Sequence, residues 1–125
     1  MTREIAPTAE ISIYIAGSIE AIREGCRSYC LDVGLCVTVT ACDFVYTGGA
    51  ESGARVGFIN YPRFPSTGQV LMDRAEGLAT FLMMRAHQHS ASIVGPTETV
   101  WLSRRPSNTA PTRQDETPEP NGMPT

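Results

Sequence analysis

The chain has 125 residues, 42% of them hydrophobic, and carries a formal net charge of −3 at pH 7. That length suits a single hydrophobic core and is short for two ordinary domains. No run approaches the ~18 consecutive apolar residues of a membrane span, and no basic, then apolar, leader opens the chain. A cytoplasmic protein without a membrane partner is therefore expected.

All ten basic residues are arginine, and between Ile11 and Arg105 eight arginines face eight acids. A neutral body lacks the excess positive charge that displaces counterions from phosphates, so nucleic acid is not an expected partner. The cysteines, Cys26, Cys30, Cys36 and Cys42, form neither a CxxC pair nor a zinc-knuckle spacing and read as reduced thiols.

Residues 1–10 contain Pro7 and no periodicity, and read as a flexible lead-in. Ile11, Ile13 and Ile15 alternate with Ser12 and Tyr14, the pattern of a strand with one buried face. Gly17 ends it, and Ser18 is placed to cap a helix whose apolar stripe runs through Ile19, Ile22, Cys26, Tyr29, Cys30 and Val33. Gly34 closes that helix. A second strand is expected from Leu35 to Tyr46, bulged near Ala41 and Cys42. Thr47 to Gly53, with three glycines, reads as a flexible hairpin loop and not as a tight two-residue turn. A third strand follows from Ala54 to Tyr61, stopped by Pro62 and Pro65.

Ser66 and Gln69 read as a capping box for a second helix running to about His87, with Leu71, Ala75, Leu78, Leu82 and Ala86 as its stripe. Phe81, Met83 and Met84 lie outside that stripe, and a second subunit is the expected cover for them. Residues 91–95 and 99–103 read either as one kinked strand or as a hairpin. Residues 106–125, rich in proline and polar side chains, read as a disordered tail. The order βαββαβ, with right-handed crossovers, predicts a ferredoxin-like α+β domain over residues 11–105: an antiparallel sheet with both helices on one face.

Few constellations carry chemistry. Cys26 and Cys30 sit on the apolar stripe and read as core residues. His87 and His89 are two apart at a helix end and converge on no acid, so neither a metal site nor any other cofactor is expected. The run Asn60, Tyr61, Pro62, Arg63, Phe64 and Pro65 stands out, because two prolines stiffen a loop carrying an amide, two aromatics and a guanidinium. Together with Arg55, the residues Asn60, Tyr61 and Arg63 form a candidate ligand site for a planar, anionic molecule. No catalytic residue can be assigned. The open sheet face, with Ser12, Tyr14, Cys36, Thr38, Thr40, Arg55, Ile59 and Tyr61, suits a ligand or a second copy, so a homo-oligomer, dimer or higher, is expected.

The residues Val33 to Val39, Tyr46 to Gly49 and Ile59 to Pro65 resemble those of small uncharacterised proteins encoded by bacteriophages and prophages. That resemblance implies an accessory or counter-defence role in an infected bacterium. The leading expectation is a non-enzymatic oligomeric binding protein holding a small nucleotide-like anion or a host protein. The alternative is a small ferredoxin-like enzyme, an isomerase or cofactor-poor oxygenase, with Tyr46, Asp43 or His87 as acid or base beside a pocket at the sheet edge.

Overall fold

The computed structural model describes residues 1–105, and the expected proline-rich tail lies outside the described residues. Seven elements follow one another: β1 (Glu10–Ala16), α1 (Ile19–Val33), β2 (Thr38–Tyr46), β3 (Gly49–Ile59), α2 (Gly68–Arg85), β4 (Ser90–Val94) and β5 (Thr99–Ser103). The five strands form one antiparallel sheet in the order β2-β3-β1-β4-β5. The molecule is thus α+β, with one strand more than the four expected, because residues 90–103 fold back as a hairpin around Pro96.

β1 is central, and its alternation decides which way the sheet faces. Ile11, Ile13 and Ile15 are fully buried opposite Phe58, Val56 and Ala54 of β3. Burying each isoleucine contributes about 1.5–3 kcal/mol relative to exposure. Both helices cover this face: α2 packs on β1 and β4, α1 packs on β3, and the helices pack on each other. Ile22 and Cys26 of α1 join Leu71, Ala75, Leu78, Leu82 and Met83 of α2 in the same core.

Local signals place the helix ends. Ser18 Oγ accepts from the Ala21 N–H at 3.2 Å, and Gly34, at φ 77°, closes α1 through its N–H to the Cys30 carbonyl. At α2 the cap is Thr67, one residue later than expected, with its hydroxyl accepting from Val70 N–H. Ser66 instead accepts from Arg74 Nη1 at 3.3 Å.

Three expectations need correction. β2 starts at Thr38, not at Leu35, and pairs with β3 residue for residue without a bulge. The glycine-rich stretch is not a loop: Thr47 and Gly48 alone form a tight turn, and Gly49 to Gly53 already belong to β3. Gly48, at φ 91°, supplies the positive φ that a type II turn needs at its second central residue. The later turns of α2 are covered from within the chain in part: Met83 is buried, Phe81 is partly buried, its ring 5.4 Å from that of Tyr29 and 4.6 Å from the Arg85 guanidinium, and Met84 is exposed.

Candidate functional site

At the end of the sheet where β3 stops and β1 begins, four segments enclose a cleft of about 850 Å³. That lies within the roughly 300–1,000 Å³ of small-molecule sites. Thr2 and Glu4 come from the N-terminal arm, and Gly34, Leu35 and Cys36 from the link between α1 and β2. Ile59 and Tyr61 to Phe64 come from the end of β3 and the loop beyond it, and Leu71 and Arg74 from the start of α2.

Hydrogen bonds tie these walls together. Asn60 is 6% exposed. Its Nδ2 donates to the Pro7 carbonyl at 2.8 Å, its Oδ1 accepts from Ser66 N–H at 2.9 Å, and its own N–H donates to the Ala9 carbonyl at 3.0 Å. One side chain therefore clamps the arm, the loop and the approach to α2. The Phe64 N–H donates to the Tyr61 carbonyl at 2.9 Å, a turn with proline at its first central position, where the ring presets φ. Tyr61 reaches across to the α1–β2 link, its hydroxyl donating to the Cys36 carbonyl at 3.1 Å. Burial, and next its bonding to Cys36, hold the Tyr61 hydroxyl above the usual tyrosine range. Walls fixed in this way lose little conformational freedom when a ligand enters.

The lining is of mixed character. Leu35, Ile59, Tyr61, Phe64 and Leu71 offer apolar and aromatic surface, while Arg63, Arg74 and Glu4 bring charge. The Arg63 guanidinium lies 5.4 Å from the centre of the Phe64 ring, within cation–π range.

Of the four residues expected to hold a ligand, Tyr61 and Arg63 line the cleft. Asn60 stands behind its wall as the clamp. Arg55 is not there: it sits on the open face of the sheet, paired in register with Tyr14 and Thr40, and donates to Ser12 Oγ at 3.2 Å. Arg74 and Glu4, not among the expected ligand residues, also line the cleft, as does Cys36, expected on the open sheet face. Arg74 is three residues after Leu71 on the same helix, a spacing that puts both on one face, so its place was readable once Leu71 was known to border an opening.

None of the expected acid–base candidates lines the cleft. Tyr46 closes the β2–β3 turn and donates to Glu51 Oε2 at 3.0 Å, a bond that raises the tyrosine hydroxyl. Asp43 is exposed on β2, and His87 is exposed just past α2. Among the described residues no three His, Cys, Asp or Glu side chains are grouped to hold a metal, and no helix is long and apolar enough to cross a membrane.

No protein-family model and no curated protein matches the sequence. The fold is nonetheless shared with solved structures of a small phage enzyme. One is a phage SAM lyase in complex with S-methyl-5'-thioadenosine, with a TM-score of 0.69 at 14% identity over 82% of this chain and 95% of that one. Another is a phage SAM lyase in the apo state, with a TM-score of 0.67 at 11% identity over 86% of this chain and 99% of that one. At these identities the likeness is one of fold, and it is consistent with a phage-encoded protein. It overturns the expectation of a non-enzymatic binding protein, since the matching structures are those of an enzyme. The reading as a small enzyme agrees better, although Tyr46, Asp43 and His87 stand apart from the cleft.

Proposed function

We propose that the protein is an enzyme acting on S-adenosylmethionine as a lyase, releasing S-methyl-5'-thioadenosine from the cleft beside Tyr61. The observation that carries this reading is a fold shared over nearly the whole length of a SAM lyase solved with that product, in a chain with its own cleft of about 850 Å³. The aromatic and apolar part of the lining suits a thioadenosine, and its charged groups suit the amino-acid end of the substrate. The four strands β2-β3-β1-β4, read as a ferredoxin-like sheet with β5 added, fit the same proposal.

The chemistry makes modest demands on side chains. The bond between the sulfonium sulfur and the γ-carbon of the methionine chain breaks, and its electron pair goes to sulfur, which leaves as a neutral thioether. No general acid is needed for such a leaving group. The γ-carbon is satisfied by the substrate's own carboxylate oxygen, which closes a ring and gives a lactone. In this ring closure the protein's task is to hold the chain folded and keep water out, an effect of orientation. Aromatic faces at Tyr61 and Phe64 can also stabilise a sulfonium, as they do other cations.

Two further parts of the reading belong to this proposal. The enzyme works in the cytoplasm of an infected bacterium, where removing a host metabolite is an accessory role. It also acts as a homo-oligomer, with the open sheet face between copies. Purified protein incubated with S-adenosylmethionine, followed by chromatography, tests the central claim. S-methyl-5'-thioadenosine should appear as the substrate disappears. No product, together with no calorimetric binding of S-methyl-5'-thioadenosine, would sink it.

A further inference from the structure

Arg74 is the half-buried member of the cleft's two arginines. It projects from the second turn of α2, next to the buried Leu71, and its Nη1 donates to Ser66 Oγ at 3.3 Å. Ser66 is itself fixed, because its N–H is held by Asn60 Oδ1 at 2.9 Å. The guanidinium is thus positioned before any ligand arrives. A guanidinium has five N–H donors, and Ser66 occupies one of them. Among the described residues no carboxylate lies within ion-pair distance of Arg74; the ion pair they contain is Arg27 with Glu24. A partly desolvated cation with spare, aimed donors is a receptor for an anion, and a carboxylate matches its planar fork. Arg63, by contrast, is exposed and lies on the Phe64 ring, where water competes for its donors.

We infer that Arg74 is the carboxylate receptor of the cleft and sets the direction in which the ligand lies: the α-carboxylate at the start of α2, the purine and sulfonium toward Tyr61 and Phe64, and the ammonium toward Glu4. This rests on the reading of the cleft as an S-adenosylmethionine site and adds its specificity, namely that the ligand must carry an amino-acid carboxylate. The arrangement also has a kinetic consequence. A carboxylate loses its charge as it closes on the γ-carbon, so an arginine paired with it favours the bound ground state at least as much as the transition state. Losing binding of that kind raises KM and leaves kcat unchanged or higher.

The test uses the full chain. Arg74→Gln should raise KM for S-adenosylmethionine by about tenfold to a hundredfold, the range of a hydrogen bond between charged partners, with kcat undiminished to within about twofold. Its affinity for S-methyl-5'-thioadenosine, which has no carboxylate, should stay within about twofold of wild type and also reports that the walls are intact. Wild-type protein gives a second arm that needs no variant: decarboxylated S-adenosylmethionine should compete about tenfold more weakly than expected from its shared purine and sulfonium. Equal loss of both ligands by R74Q, no change in KM, or undiminished competition by the decarboxylated compound overturns the assignment. Wild-type protein that neither cleaves S-adenosylmethionine nor binds S-methyl-5'-thioadenosine overturns the functional reading beneath it, a result distinct from those three.

Discussion

Cys26 and Asn60 show how much a side chain's surroundings decide. The stripe position of Cys26 was enough to read it as a core residue, and it is buried with Ile22 and Leu82. Burial, and next the neighbouring Cys30, push its thiol up to about 11 from an ordinary 9.0. The unfolded chain therefore ionises this thiol at a lower pH than the folded one. Its contribution to stability is whole below about pH 9 and is lost as the pH rises toward about 11. Tyr61, raised above its ordinary 10.0 by burial first, adds loss in the same direction. Thermal melts should accordingly show Tm falling between about pH 9 and 11, with a shallower fall in Cys26→Ala; parallel curves would remove Cys26 as a cause. Asn60 was read as a ligand residue because an amide beside prolines has donors and acceptors to offer. Pro7 and Ser66 engage both ends of the amide instead, and the contact with Pro7, 53 residues earlier in sequence, has no trace in local pattern.

The β2–β3 hairpin shows why glycines misled the reading of an element. Gly49 and Gly53 resemble loop residues, yet both lie in β3 beneath aromatic rings of β2. A Cβ on Gly53 would lie 2.4 Å from the Ile15 carbonyl oxygen and 2.5 Å from the Phe44 ring. The glycine is there so that β1 and the Phe44 ring can close on it, a known use of strand glycines. Gly53→Ala should cost about 1–3 kcal/mol through overpacking, read as a lower midpoint in urea denaturation. An unchanged midpoint would mean that β1 and β3 part without strain. The same dependence on partners separates Thr67 from Ser66 at the start of α2. Either could cap a helix, and Ser66 is drawn off by Asn60 and Arg74.

Across the open side of the sheet, register sets Trp101, Ser92, Tyr14, Arg55 and Thr40 in one row spanning all five strands. Trp101 is 60% exposed, and Ser12, Gly57 and Val94 lie in the adjoining row. Aromatic rings standing among small residues, with the Arg55 guanidinium bonded to the Ser12 hydroxyl, suit contact between copies, where Tyr, Trp and Arg are the usual anchors. Native mass spectrometry should count more than one subunit, and Trp101→Glu should shift the protein toward monomer. A wild-type monomer at micromolar concentration would remove this face as an interface. The alternation in β1, the stripe of α2, the start of the α1 stripe through Ile22 and Cys26, and the helix end at Gly34 could be read from the chain alone, because strand and helix periods are local consequences of backbone geometry; Val33 is exposed, and β3 stops at Ile59 and not at Tyr61. The fifth strand, the clamp at Asn60, the separation of Arg55 from Tyr61 and the turning of Arg74 into a cleft were decided by tertiary structure. Each depends on contacts between residues distant in sequence, and burial and register arise only when those segments meet.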